Sequence, residues 1–277
     1  MALDLNAVGK AFPPTAYEYG DREVMLYALG AGAGVDELQF TYEKNLKVLP
    51  TFAVIPAFPA LMGMGRVLQF NPAMLLHGEH RIGLRGPIPP GGKLTTTAAV
   101  SAIYDKGSGA LVMVEAETKD EKGQVLFTNA FGAFIRGEGG FGGERGPSAA
   151  SRNVPPERAP DATVEMTTTS SQALLYRLSG DRNPLHADPD FAKLGGFDRP
   201  ILHGLCTFGH VGRAVLKTFC DNDPARFRSF EARFSGVVFP GDTIITQMWK
   251  ESATRILVQA KTQRGDPVLS NAAVTIA

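Results

Sequence analysis

Asp181, Asn183 and His186 bring a carboxylate, a carboxamide and an imidazole within six residues of one another, in the run Tyr176-Arg-Leu-Ser-Gly-Asp181-Arg-Asn183-Pro-Leu-His186. The chemistry such a set supports is proton transfer. An unperturbed Asp is ionised at pH 7 while a His titrates close to neutrality, so the two can exist in different protonation states at once. Gly180 tolerates dihedrals barred to other residues, Pro184 fixes its own φ, and Asn183 before it is pushed towards extended backbone. A rigid turn of this kind can aim all three side chains at one point. The same residue types also build ordinary turns, in which Asp and Asn bond to their own backbone. Residue types alone therefore do not separate a catalytic turn from a capped one.

The following stretch, Gly195-Gly-Phe-Asp-Arg-Pro200-Ile-Leu-His203-Gly204-Leu-Cys-Thr-Phe-Gly-His210, tips that balance. Taken together, Gly-Asp-x-Asn-Pro-Leu-His and Pro-Ile-Leu-His-Gly-Leu resemble the signature of the MaoC-like (R)-specific enoyl-CoA hydratases, the hydratase 2 group. The resemblance extends over nearly the whole chain. It includes Tyr27-Ala-Leu-Gly-Ala-Gly, Leu49-Pro-Thr-Phe, Leu76-His77-Gly78-Glu, Tyr104-Asp105-Lys106-Gly, and Ala232-Arg233-Phe234 ahead of Phe239-Pro240-Gly241.

The resemblance implies an α+β double hot-dog and reversible hydration of trans-2-enoyl-CoA to (3R)-3-hydroxyacyl-CoA. It assigns Asp181, Asn183 and His186 to the catalytic centre, Gly204 to an oxyanion contact, and His77, Gly78 and Phe234 to the ligand wall. It also implies a homodimer and no cofactor or metal, CoA being part of the substrate. Lys106, at the tip of a predicted hairpin, could reach a CoA phosphate or could simply be solvated. Phe234 and His77 could equally be core or strand-end residues.

Such a turn needs elements to hold it. His203 to Phe219 reads as a helix, with Leu205, Phe208, Val215, Leu216 and Phe219 broadly on one side. Strand-like runs follow over Ser229–Phe239, Thr243–Glu251, Arg255–Gln263 and Val268–Ile276. The first half repeats this plan, with a helix expected near Ala57–Gln69 and strands through Ile135. Between the halves, residues 136–160 are dense in Gly and Pro and read as a linker. Pro90-Gly91 and Asn129 correspond to Pro240-Gly241 and Asn271 at offsets of 150 and 142, which suggests a duplication with a longer hairpin turn in the first copy. One helix followed by antiparallel strands fits a sheet wrapped around a helix.

The expected organisation is thus a first repeat at 1–135 and a catalytic repeat at 161–277. Before its helix the first repeat carries apolar Leu49-Pro-Thr-Phe-Ala-Val-Ile-Pro-Ala-Phe-Pro in place of the acid–base motif. It is expected to lack catalysis and to supply an apolar cavity for the acyl chain.

Several other readings carry less weight. His203 and His210, seven apart, form with Asp188 or Asp198 a candidate metal set, but that spacing is wider than the usual i,i+3 or i,i+4. Gly30-Ala-Gly-Ala-Gly lacks the third glycine of a dinucleotide loop and reads as a helix end. Cys206 and Cys220, the only cysteines, are expected to be buried thiols in a reducing compartment. A chain of 277 residues with 44% hydrophobic and 20% charged residues can bury a large core without staples. Its 28 basic and 28 acidic residues argue against a broad nucleic-acid or membrane surface, though not against a small phosphate site. No secretory signal, membrane span or Ser-Lys-Leu ending is expected, giving a cytoplasmic location, or a peroxisomal one for a domain trimmed from a longer protein. Alternative functions are dehydration of carrier-protein-bound 3-hydroxyacyl chains and non-catalytic binding of acyl thioesters or lipids. A thioesterase fits the motif less well.

Overall fold

The computed structural model describes residues 3–71, 74–148 and 151–277. Residues 1–2, 72–73 and the linker's Ala149 and Ala150 lie outside that description. Among the described residues, ten strands form one antiparallel sheet: β1 (Thr15–Tyr19), β2 (Leu75–Leu84), β3 (Gly92–Asp105), β4 (Gly109–Lys119), β5 (Val125–Arg136), β6 (Ala162–Thr167), β7 (Phe227–Phe234), β8 (Thr243–Lys250), β9 (Arg255–Thr262) and β10 (Pro267–Ile276). The helices are α1 (Asp21–Gly30), α2 (Leu38–Thr41), α3 (Val54–Met62), α4 (Met64–Leu68), α5 (Gln172–Tyr176), α6 (Pro189–Leu194) and α7 (Gly204–Phe219).

The strand order is β1-β3-β4-β5-β2-β7-β10-β9-β8-β6, which is palindromic about the β2–β7 pair. Each half contributes five strands in the same relative order. The two segments that correspond in sequence, Pro90-Gly91 and Pro240-Gly241, lead into β3 and β8, which occupy matching places. The extra length of the first half lies in its strands rather than in a turn. β3 and β4 span 14 and 11 residues against 8 each for β8 and β9, while the tip between β3 and β4 is only Lys106 to Ser108.

α7 runs 16 residues, about 24 Å, and every residue from Leu205 to Leu216 is buried. A helix enclosed on all sides must satisfy its polar groups internally. Arg213 accordingly donates to Ala31 O at 2.8 Å and pairs with buried Glu37, and His210 Nδ1 donates to Cys206 O at 2.9 Å. Phe208 stacks on Phe230 of β7 with centroids 3.9 Å apart, tying the helix to the middle of the sheet. Cys206 and Cys220 are both buried and free, and burial raises the pKa of each thiol.

Two expected elements need correction. The first-half helix begins earlier, at Val54, and breaks at Gly63 before Gln69, which adopts φ 52° and closes α4. Pro56 falls in the first turn, where amides lack acceptors anyway, but Pro59 removes an interior hydrogen bond and shortens the helix. The strand expected over Ser229–Phe239 ends at Phe234. Beyond it, Val238 O accepts from Leu202 N at 2.7 Å, so this backbone braces the approach to α7 instead of extending the sheet. Gly30 ends α1, and Gly32 turns with φ 81°, as a helix end requires. Among the described residues, no helix is long and apolar enough to cross a membrane.

Candidate active site

The acid–base motif forms the chain between α5 and α6. Gly180 adopts φ 136°, which turns Asp181 back towards α7. The carboxylate is anchored by its own turn, Asp181 Oδ1 accepting from Asn183 N at 3.1 Å. Asn183 caps the short 3-10 turn Pro184–His186, its Oδ1 accepting from Leu185 N at 3.0 Å. Its contribution to the carboxylate is therefore made through backbone, and its side-chain carbonyl is committed locally.

His186 is buried, and its Nδ1 lies 2.9 Å from Ile201 O. A carbonyl only accepts, so Nδ1 carries the proton and Nε2 is left bare in the neutral ring. Burial lowers the His186 pKa, opposed by the Ile201 bond and the Asp181 carboxylate and assisted by Arg177. The ring is therefore held as a neutral base with its lone pair free.

Gly204 opens α7, where the first amides have no intrahelical acceptor and the helix dipole is positive. A Cβ at this position would stand 3.1 Å from the Phe234 ring, so the lack of a side chain allows that close approach. Phe234 in turn packs against His77 of β2, centroids 4.9 Å apart. The four residues Gly204, Phe234, His77 and Gly78 thus line one wall of one cleft, although they come from both halves of the chain. Gly78 is a bulge residue, marked by the register shift between His77 and Glu79 in the β2–β5 ladder. His77 Nε2 is buried without a partner, and burial drives that ring down to about 4.

The cleft measures about 2190 Å³ and includes Asp181, Asn183 and His186 in its wall. Small-molecule pockets usually occupy roughly 300–1,000 Å³, so this one suits a ligand well beyond ordinary metabolite size. Its first-half wall is apolar, with Ile55, Phe58, Leu61, Met62 and Leu75. Lys106 also lines it, but its Nζ donates to Arg145 O and lies 5.6 Å over the Tyr104 ring. Beside it, Asp105 accepts from Gly107, Gly140 and Gly142 amides at 2.8 Å each, bonds that lower its pKa and clip the linker to the hairpin tip.

Sequence reasoning passed over two features. Arg136, Arg152, Arg182 and Arg233 join Lys106 around the cleft, and although Glu79 pairs with Arg152 at 3.0 Å and Glu115 and Asp181 also line it, cations outnumber carboxylates there, which a net charge of zero conceals. His203 is the second. It joins Asp181 and His186, with ligand-type atoms within 4.8 Å of one another, rather than His210 and Asp188 or Asp198. Asp188 instead caps α6, and His210 is committed to Cys206 O. The His186 and His203 rings are stacked, 27° apart with centroids 3.7 Å apart. Two nearly parallel planes share no nearby point, so the rings cannot both direct in-plane lone pairs at one ion. The signal for His203 was available, since it immediately precedes Gly204.

Residues 17–137 match the family described as the MFE-2 hydratase 2 N-terminal domain, and residues 151–272 match the MaoC like domain. A probable enoyl-CoA hydratase 2 of Dictyostelium discoideum is 44% identical over 100% of this chain and 97% of its own. Peroxisomal multifunctional enzyme type 2 of Mus musculus is 44% identical over 98% of this chain, which spans 38% of that longer protein. The 3-hydroxyacyl-thioester dehydratase Y of Mycobacterium tuberculosis is also 44% identical, over 95% of this chain and 94% of its own. In structure, a MaoC-like dehydratase from Phytophthora capsici superposes with a TM-score of 0.89 at 36% identity, covering 99% of this chain and 98% of that one. A Mycobacterium tuberculosis protein described as a double hotdog fold, 14% identical with a TM-score of 0.63 over 97% of this chain and 96% of its own, shares the fold. With both halves matched and two of these relatives covered over 94% or more of their length, the chain belongs to the MaoC-like hydratase 2 family and is a hydro-lyase.

Proposed function

We propose that the cleft hydrates trans-2-enoyl-CoA reversibly to (3R)-3-hydroxyacyl-CoA. The observation that carries this reading is the bare Nε2 of neutral His186, held beside the Asp181 carboxylate and the amide end of α7. Water adds its hydroxyl to C3 while one of its protons passes to the Asp181–His186 pair, and a proton is delivered to C2. No electrons are exchanged, so the reaction needs no cofactor; CoA enters and leaves as part of the substrate. The thioester oxygen gains negative charge as C3 is attacked, and the Gly204 amide stabilises it. Asn183 supports the carboxylate by its backbone amide. Asp181 and His186 act on one water as a coupled pair, with apparent pKa values belonging to the pair.

The first repeat takes the acyl chain against its apolar wall, and His77, Gly78 and Phe234 border the reacting end. Lys106 and the cleft arginines meet the CoA phosphates. Two copies of the chain form the working homodimer. The (3R) configuration follows from the family likeness, and chiral analysis of the product tests it.

A second reading is favoured by the same cationic lining and by the dehydratase relative: the acyl chain could arrive on a carrier protein's phosphopantetheine. Purified protein mixed in parallel with crotonyl-CoA and with the crotonyl carrier-protein thioester separates the two. The CoA reading expects the larger kcat/KM with crotonyl-CoA, and a clear preference for the carrier thioester overturns it.

A further inference from the structure

We propose that His203 is a positioning residue of this active site, which ties the Asp181 turn to the head of α7 and backs the His186 ring. The inference rests on the reading that Asp181 and His186 move the protons. His203 Nε2 lies 3.1 Å from the backbone carbonyl of Asp181. That carbonyl only accepts, so Nε2 carries the hydrogen and Nδ1 is bare. Nδ1 is buried without a partner, and the residue is 1% exposed. One face of the ring lies against His186, and Tyr176 packs nearby with its centroid 4.9 Å away.

Because His203 directly precedes Gly204, one side chain fixes the carboxylate-bearing turn relative to the oxyanion amide. The His186 bond to Ile201 O holds the far end of the same turn, and the His203 bond fixes the end that carries the carboxylate. A misplacement of about 1 Å between such groups costs on the order of 100-fold in rate. The stack has a second effect, because it shields one face of His186 from water. The charged and titratable groups around His186 are the Asp181 carboxylate from its own turn, Arg177 from the segment after α5, and His203 from the head of α7. His203 itself is kept neutral, burial and the neighbouring His186 driving it down to about 2. A cation at His203 would repel the imidazolium form of His186, whereas a neutral ring only desolvates it.

Two substitutions in the full-length chain separate these effects. His203→Gln keeps an amide donor near the place of Nε2 and removes the ring. His203→Phe keeps a ring face and removes the donor. For His203→Gln, we expect kcat to fall about 10-fold with KM little changed, and the acid limb of kcat/KM to move up towards 6.5 as His186 is rehydrated. For His203→Phe, we expect kcat to fall on the order of 100-fold with the acid limb near its original place. In the wild type, histidine nitrogen NMR should show His203 as the Nε2–H tautomer without titration above pH 4, a measurement that does not depend on any variant folding. Wild-type kcat and an unmoved acid limb in both folded variants overturn the proposal, as does a His203 that titrates near 6.5. Asp181→Ala and His186→Ala distinguish the two levels. If both remain active, the catalytic reading itself falls; if both are inactive while the His203 variants match wild type, only the positioning role falls.

Discussion

The two halves share one strand plan and differ in what stands at the head of their helices. In the second, Asp181, His186 and His203 gather at the start of an unbroken 16-residue helix whose first amide belongs to Gly204. In the first, the equivalent place holds Pro50-Thr-Phe-Ala followed by α3, nine residues long with Pro59 inside it and Gly63 behind it. α3 presents no acid or base there. It leaves Phe58, Leu61 and Met62 on the cleft, with Met62 69% exposed. The same strand plan thus carries two different helix heads: the long helix starts at a cluster of titratable groups, and the shorter one leaves apolar side chains on the cleft.

The contrast can be broken most forcefully at its catalytic end. Asp181→Ala or His186→Ala should lower kcat by roughly 10²–10⁴-fold, the usual contribution of a general acid or base, with little change in melting temperature. The Asp181 side chain bonds within its own turn, and His186 gives up a single hydrogen bond, to Ile201 O, which is why folding should tolerate either loss. Next, Gly204→Ala forces a Cβ to 3.1 Å from the Phe234 ring. We expect about a 10- to 100-fold loss in kcat, and partial recovery when Phe234→Leu is added, which initial-rate kinetics on the single and double variants will show.

The first half should respond differently. Met62→Asp places a charge on the apolar wall. It should raise KM for a long-chain enoyl-CoA about 10-fold or more, while crotonyl-CoA, with far less apolar chain to bury, should lose little. Equal losses for both substrates would contradict the division of labour. The buried histidines set a pH window. His77 and His210 are driven down to about 4 and His203 to about 2, chiefly by burial, and His80 lies well below its ordinary value for the same reason. The unfolded chain binds more protons than the folded one below 6.5, so stability is complete above that pH and is lost as pH falls towards 4. Each such group contributes about 1.4 kcal/mol per pH unit, and urea midpoints should drop steeply from pH 6.5 to 4.5. The smallest effect is expected at Lys106→Ala. With its Nζ already held by linker carbonyls, KM for CoA thioesters should rise only about 2- to 5-fold.

The elements and the motif were legible where the determinants are local. Asp181, Asn183 and His186 are held by bonds two residues apart in sequence and one to Ile201, and Gly and Pro announce such a turn directly. The α7 pattern was readable for the same reason. Features made across the fold were not. Phe234 meets His77 only because β7 pairs with β2, and five cations collect on the cleft from segments more than 100 residues apart. The extra residues of the first half read as a longer turn because spacing counts residues without saying which of them pair. His203 stood next to Gly204 in plain view, but its stack on His186 exists only once the Asp181 turn folds back onto α7.

The most direct test of the account is consumption of crotonyl-CoA and a longer-chain enoyl-CoA, followed by loss of enoyl-thioester absorbance, with chiral analysis of the hydroxyacyl product from wild type, Asp181→Ala and His186→Ala. We predict turnover of both substrates to the (3R) product by the wild type and near-complete loss in each variant. Folded wild-type protein that turns over neither substrate, or variants that keep wild-type rates, would contradict a single active site at the head of α7.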